Sequence, residues 1–532
     1  MTTATVPLDR ADCVRTVEHD GEHFLFHCGE QFRWEPLPAG TRVIYPPPPL
    51  PGLPDVDGAI DQALEQPLGA DPLSAQLRPG MKVTIAFDDI SLPLPPMRRP
   101  DLRQRIIEKV LDRCAAAGVD DIHLVCAIAL HRRVTPAEFK AMLGPRIWNA
   151  YHPRRLYNHD AEDPAGNVLL GTTEQGEEVW INKRVAESDL LIYVNINLVT
   201  MDGGHKSINT GLTTYRTIRH HHNVHTLMHC TSYMDPASSM LQRICERMGR
   251  LVAQHVNSFH IETTLNTDTF PAVYKTLQKR ERDWSAWDRV NFHATRLGLK
   301  VIPYELRRRA WMATRAPYGL TGIHAGNVDL VHERTIANVL RQQAVPVRGP
   351  SDIVVMGVPY LCPYNVNSIM NPLLAWVTTV GYGFNLYRGR PLVRQGGVLI
   401  FTHPLYNRWN TEHHPSYVEF FNRVLAETRD PATIERKYEA EFAHNARYIK
   451  LYREGYAYHG VHPFYMWYWG IYGAAWCGRV IAVPGDPFVA GRLGFQTAPT
   501  LREAIEQAKE VVGPHPTITC YHWPPIFLCD VE

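Results

Sequence analysis

Apolar and polar positions along this chain follow two periods, and the switches between them mark out its elements. Met81 to Asp89, MKVTIAFDD, is a largely apolar run ending in acids, the pattern of a strand buried on both faces with its polar end at a site. Leu102 to Ala117 carries apolar residues at helical spacing, and Asp121 to Leu130, DIHLVCAIAL, is a second buried run. Strand, helix and strand in this order make a βαβ unit, in which ligands sit beyond the carboxyl ends of the strands. His131 stands at such an end. A third run, Ser188 to Val199, leads into MDGGHKSINTGL, whose paired glycines let backbone approach a ligand closely.

Residues 41 to 54, TRVIYPPPPLPGLP, read as an extended strap outside regular sheet or helix, because consecutive prolines fix φ and remove donors. A helix-like stretch follows from Ile60 to Leu77, and Met240 to Arg315 reads as a helical scaffold rich in Arg, Trp and Lys. Beyond AVPVRGPSD (Ala344 to Asp352) the alternation restarts. Strands are expected at Ile353 to Tyr360, Gly396 to Pro404, Arg479 to Gly485 and Thr517 to Trp523, and helices from Asn371, over Tyr417 to Glu454 and over Leu501 to Gly513. The expectation is an α/β protein of two Rossmann-like domains with the active site in the cleft between them. The first is residues 1–343, with 1–57 as an extension carrying the proline-rich strap; the second is 344–532, its last strand free to pack back on the first domain.

Composition narrows the function. Hydrophobic residues make up 45% and charged residues 20% of the 532, an ordinary globular balance. The 55 Lys and Arg nearly cancel the 54 Asp and Glu, which removes the electrostatic case for nucleic acid or a membrane surface and favours a small-molecule ligand. The opening MTTATVPLDRADC lacks a basic start followed by an apolar stretch, and no apolar run reaches the roughly 18 residues of a spanning helix, so a cytoplasmic location is expected. The ten cysteines are scattered without a C-x-x-C pair, as expected of free thiols in a reducing compartment.

Four constellations can carry chemistry. FDDISLPLP (Phe87 to Pro95) is an acidic turn after a strand, readable also as a capped turn. ALHRR (Ala129 to Arg133) puts a histidine, suited to acid/base work but as readily structural, at a strand end. GGHKSINTG (Gly203 to Gly211) offers a lysine and hydroxyls in a glycine turn, where phosphate or a covalent adduct can be held. RHHHNVH (Arg219 to His225) spaces His222 and His225, or His221 and His225, to share a helical face where imidazoles suit nickel, zinc or copper, or else forms a solvated turn.

Taken in order, Asp89 at a strand end, His131-Arg132, the Gly-Gly-x-Lys-Ser turn at Gly203 to Ser207 and the downstream His222 resemble the nickel-dependent lactate racemase family over most of residues 58–265 and again around 334–402. The resemblance implies a two-domain α/β architecture and a nickel-pincer nucleotide, a pyridinium mononucleotide with sulfur arms, tethered through Lys206 with His222 as protein ligand to nickel. It places Asp89, Ser91, Gly203, Gly204 and Ser207 near the nucleotide and makes His131 a general base. It also implies reliance on cofactor-making enzymes. A homo-oligomer is left open.

The departures from the family concern the substrate. The family's second histidine, in the loop before the lysine turn, has no counterpart between Asn195 and Gly204; Asp202 and His205 are the candidates to replace it. Its carboxylate-binding arginine is missing where this chain reads Asp89, Ile90, Ser91, Leu92, and its second-domain Tyr-Gln and lysine are missing where Asn367 is followed by Ser368, Ile369, Met370 and Leu373. An unpaired carboxylate in a cleft costs a few kcal/mol, on the order of 10²-fold in affinity. With Leu92, Asn367, Met370 and Leu373 on the substrate side, the expected reaction is racemisation or epimerisation of an α-hydroxy acid or related hydroxy compound other than lactate, by hydride transfer. The alternatives are a diverged homologue that binds a metabolite or nucleotide without turnover, and a plain zinc enzyme built on His221, His222 and His225.

Overall fold

The computed structural model describes residues 10–92 and 95–532; Pro93 and Leu94 of the acidic turn and the first nine residues lie outside it. Six strands form the first sheet, in the order Leu320–Gly326, Ser258–Leu265, Leu190–Asn197, Lys82–Asp88, Asp121–Ala127 and Leu156–Asn158. All neighbours run parallel except Leu320–Gly326, which lies antiparallel to Ser258–Leu265. The near-continuous apolar reading of the central strands follows from burial on both faces. Ile106, Ile107 and Val110 of the helix Leu102–Ala116 cover one side, and Ile244, Met248 and Val252 of the helix Met240–Ala253 cover the other.

The second sheet is built around Ser351–Pro359, paired in parallel with Val393–His403 on one side and Ile518–Tyr521 on the other, and Arg479–Pro484 extends it beyond Val393–His403. Leu501, Ala504, Ile505 and Ala508 of the helix Leu501–Val512 close one face. The opposite face meets the helix His462–Trp476, apolar all round and buried from His462 to Ile471, as a helix sandwiched on all sides must be.

Several expectations change. The amino-terminal segment does not extend the first unit: Arg42–Ile44 is a strand parallel to Ile518–Tyr521, and Cys28 of the hairpin Glu22–Gly29/Gln31–Leu37 pairs with Val358. The proline run therefore starts one residue after a strand and leads from the second sheet towards the first unit. Met240 to Arg315 is not uniformly helical, since SFHIETTL is the interior strand Ser258–Leu265, disguised in sequence by its polar residues. The expected last strand, observed as Ile518–Tyr521, belongs to the second sheet, and the chain's final strand Leu528–Val531 pairs with the connector Ala344–Val347. No helix among the described residues is long and apolar enough to cross a membrane.

Candidate active site

A cavity of about 180 Å³ opens between the carboxyl ends of the first sheet and elements of the second unit. Its first-unit wall carries Asp88, Asp89, Ser91, Leu92, His131, Asn195, Asp202, Gly203, Lys206, Ser207 and His222. Separate strands thus deliver their terminal residues to one place, as parallel sheets do.

Asp89 and His131 form a dyad. The Asp89 Oδ2 accepts a hydrogen bond from His131 Nδ1 at 2.8 Å, while its Oδ1 accepts from the Ser91 backbone N–H at 2.8 Å and its Oδ2 from the Ser91 hydroxyl at 3.1 Å. Burial works to raise the Asp89 carboxyl, but the His131 charge and these donors outweigh it and hold it below the ordinary carboxylate value. An ionised carboxylate can only accept, so Nδ1 carries the proton and Nε2 is left as the basic nitrogen. The turn bearing His131 is fixed from both units. Ala129 adopts a left-handed φ of 51°, with its N–H on Gly211 O at 3.0 Å and its carbonyl accepting from Tyr452 at 2.8 Å. Arg132 holds Glu138 through two contacts, at 3.0 and 2.6 Å, and reaches Val366 O of the second unit at 3.1 Å.

Asp88, one residue before the dyad, differs in charge state. Burial pushes its carboxyl up to about 7, against the opposing hydrogen bond from Ile196 N–H at 2.7 Å. Asp202 lines the cavity, but its Oδ2 accepts from Leu198 and Val199 N–H at 3.0 and 3.1 Å, so it also staples its own loop; burial raises its carboxyl.

The glycine turn needs its glycines. A Cβ on Gly203 would sit 2.3 Å from Asn197 Nδ2, and one on Gly204 2.8 Å from His332 Cδ2, both at positive φ. Glu262, in the neighbouring strand, pins the turn by accepting from Gly204 N–H at 2.6 Å and pairing with His332 at 3.1 Å. Lys206 follows in the first turn of the helix His205–Gly211, half-buried, with no carboxylate in ion-pair range among the described residues. Asn195 Oδ1 and Thr210 Oγ1 beside it are buried with no hydrogen-bond partner in the protein.

His222 belongs to a relay. His221 Nε2 meets the Asn209 carbonyl at 3.2 Å and must donate; His221 Nδ1 is then the acceptor for His222 Nδ1–H at 2.7 Å. That tautomer leaves His222 Nε2 with a bare lone pair. Burial, reinforced by the charges of His221 and Lys206, holds His222 well below the ordinary imidazole value, so it stays neutral. A neutral imidazole oriented through its other nitrogen is the form a metal ligand takes.

Other expected residues lie elsewhere. His205 turns outward to Asp329 at 2.9 Å, so it is no partner to His131 in the cavity. Gly204 shapes the turn from outside the cavity lining, and Asn367 donates to Glu138 Oε1 at 2.7 Å as a clip between the units. Met370 and Leu373 are packed in the core at 2% and 0% exposure, unavailable to substrate. His225 is exposed and its ring lies tilted against that of His229, away from the His221–His222 relay, and no group of three or more His, Cys, Asp or Glu is disposed to hold a metal among the described residues.

The second-unit wall is Leu361, Cys362, Pro363, Tyr364, Thr378, Tyr382, Leu386, Trp469, Trp523 and Ile526. Tyr364 and Tyr382 join hydroxyls at 2.7 Å. Behind His131 a smaller hollow is bounded by His222, Tyr364, Tyr465 and His462, whose Nδ1 meets the Tyr417 hydroxyl at 2.5 Å. Sequence reasoning missed these residues. The available signal was the strand-end rule applied to YLCPY after Ser351–Pro359, together with the aromatic density of HPFYMWYWG.

Fold and site together define an α/β protein with a ligand cleft between two units and a carboxylate-held histidine at its centre. Residues 33–235 of the chain match the model of the lactate racemase N-terminal domain. Lactate racemase of Lactiplantibacillus plantarum is 28% identical over 170 residues, 31% of this chain and 38% of the relative, so the match spans well under half of that protein's length. The lactate racemase apoprotein of Thermoanaerobacterium thermosaccharolyticum superposes with a TM-score of 0.62 at 17% identity, covering 95% of this chain and 99% of the other. A protein from Thermotoga maritima superposes at 0.51 and 15% identity, covering 91% and 100%. At these identities the two structures speak for the fold alone.

Proposed function

We propose that the chain is a racemase or epimerase of an α-hydroxy compound larger or less acidic than lactate, with His131 as general base and a nickel-pincer nucleotide held by Lys206 and His222. The observation that carries this reading is the single cavity that collects the Asp89–His131 dyad, the unpaired Lys206 ammonium and the bare Nε2 of His222. The donor set suits the group: an amine for covalent attachment, one neutral imidazole for nickel, and unpartnered Asn195 and Thr210 polar atoms beside them. When bound, such a group supplies an electrophilic carbon able to take a hydride from the substrate's Cα.

The chain's own residues do the rest. His131 Nε2 takes the hydroxyl proton, and Asp89 holds the ring in the required tautomer and balances the imidazolium that forms. His131 returns that proton to the oxygen as the planar Cα regains its hydride, and the face on which the hydride would be returned sets the configuration. The aromatic second-unit wall excludes water from the reacting atoms. Lys206 is the sole Lys or Arg lining the cavity among the described residues, so once it is joined to a cofactor no cation remains for a carboxylate. This favours a neutral or bulkier hydroxy compound over lactate.

The test is intact-mass and metal analysis of protein co-expressed with the cofactor-making enzymes and nickel, followed by chiral analysis of a panel of Cα-deuterated hydroxy acids and sugar acids. An adduct abolished by Lys206→Ala, with nickel and inversion at Cα that retains the Cα deuterium, is expected. An unmodified Lys206 without nickel would overturn the cofactor assignment. An adduct and ligand binding that survive His131→Ala, with no inversion at Cα in either protein, would identify a non-catalytic binding homologue instead.

A further inference from the structure

The helix Ala286–Val301 is built inside out. Its buried side is served by Phe292 and Leu299, whereas Trp287, Val290, Leu297 and Val301 are 74%, 60%, 58% and 82% exposed, and Ala294 between them is exposed as well. These positions are spaced three, four, three and four apart, the a/d spacing of a coiled-coil seam, here facing solvent. Val273, whose carbonyl receives Asn291 Nδ2 at 3.2 Å, lies beside the stripe, and exposed Ile302 and Leu306 continue it. Soluble monomers rarely expose contiguous apolar patches beyond a few hundred Å².

We infer that this stripe is the seam of a symmetric homodimer, in which two copies of the helix pack antiparallel about a two-fold axis at Ala294. The pattern is complementary to itself in that arrangement. Trp287 faces the partner's Val301, Val290 faces the partner's Leu297, and the small Ala294 sits at the axis, where two backbones approach most closely. The flanks agree: Lys300 falls opposite the partner's Ala286, and Asn291 opposite the partner's Gly298, so no lysine, arginine or carboxylate is set against its like. Arg289 and Arg296 lie at positions away from the seam. Counted at their fractional exposures, the seven large side chains present roughly 600 Å² per copy, most of the ~800 Å² per partner of a standard-size interface. Both copies contribute one patch, as two-fold contacts require.

Sedimentation velocity of the full chain at micromolar concentration tests this. The expected result is a dimer, converted to monomer by V290K/L297K with an unchanged melting temperature, since both positions are on the surface. Ala294→Cys should yield a disulfide-linked dimer under mild oxidation. The native cysteines, all buried except the half-buried Cys477, are poor competitors for that bond. A monomeric wild-type chain overturns the proposal, as does a dimer indifferent to V290K/L297K and not captured by Ala294→Cys. A monomer whose Trp287 emission shifts on anionic phosphatidylserine vesicles would assign the stripe to a membrane surface instead.

Discussion

The two walls of the cavity are made differently. The first-unit wall is polar and local: Asp89, His131 and Lys206 follow parallel strands of one sheet, each in a short motif, with bonds of that unit fixing Asp89 and the glycine turn before Lys206 and bonds from both units fixing the His131 turn. The second-unit wall is apolar and aromatic and is assembled from distant segments, with Tyr364 after one strand, Tyr382 in a bulged helix, Trp469 in a buried helix and Trp523 near the chain's end. The difference separates reaction from specificity. In the proposed function the proton acceptor and the covalent anchor sit on the first wall, and the face that would decide which molecule fits is side-chain packing.

If that division holds, the largest effects come from the first wall. His131→Ala should lower turnover about 10³-fold with a melting temperature near wild type, because a partly exposed ring is removed from a cavity edge. Asp89→Asn, which keeps shape but loses charge, should cost about 10²-fold and change the pH profile, as the His131 tautomer is no longer enforced. Equal losses from Tyr364→Phe would break the comparison. His221→Phe should leave the Lys206 adduct mass intact while weakening nickel retention about 10- to 100-fold, the usual weight of a partner that orients a metal-binding histidine. Unchanged nickel content would remove the relay from the argument.

How much of this was legible follows the same division. Asp89, His131, Lys206 and His222 could be read because parallel strands end in single file and each end carries its own short pattern. His205 was misplaced because one residue along a helix rotates a side chain by about 100°, here from the cavity edge to Asp329. Asn367, Met370 and Leu373 were misplaced because the cavity takes Pro363 and Tyr364, a few residues earlier, while Asn367 turns at a φ of 55° to reach Glu138. The membership of Arg42–Ile44 in the second sheet was hidden for another reason: pairing with a strand almost 480 residues away leaves no local trace.

A stability prediction probes the packing behind both walls. Burial holds His159 and His260 of the first unit at about 4, and His27 and His403 beside the second sheet at about 3. Unfolding returns them to the ordinary imidazole value, so the unfolded chain binds more protons below pH 6.5 and stability is lost as pH falls. Glu30, Asp88 and Glu439, raised by burial to about 7, act oppositely, since they hold protons in the fold that the unfolded chain releases between their ordinary value and pH 7. His413 and His414 are also held neutral by burial, so the histidines prevail in number. Between pH 6.5 and 5, denaturant titrations should show stability falling by at least about 1.4 kcal/mol per pH unit, one net proton's worth. A flat profile would mean that these rings are hydrated.

On the second wall, Tyr382→Phe removes half of the hydroxyl pair and leaves the Tyr364 oxygen without its buried partner, which costs about 1–2 kcal/mol. If the pair faces substrate, the loss should appear mainly as a KM raised about tenfold or less, with kcat nearly unchanged. A selective fall in kcat would move Tyr382 into the proton-transfer machinery and blur the distinction between the walls.

The smallest effect concerns how the first wall holds His131. Ala129 sits in the left-handed region at a φ of 51°, two residues before the base, where a side chain costs about 1 kcal/mol and glycine costs nothing. Ala129→Gly removes that strain but adds backbone freedom to the unfolded chain worth about 0.5–1 kcal/mol, so the stabilities should agree within about 0.5 kcal/mol. The turn is also tied by Gly211 O, Ile128 O and the Tyr452 hydroxyl, none of which the substitution touches, so turnover should be retained within about twofold if these bonds alone set the His131 position. A tenfold loss of turnover at unchanged stability would mean that the Ala129 methyl itself, packed at the cavity edge, keeps the base in place. The rigid wall would then depend on packing as the aromatic wall does, and the contrast between them would be one of degree.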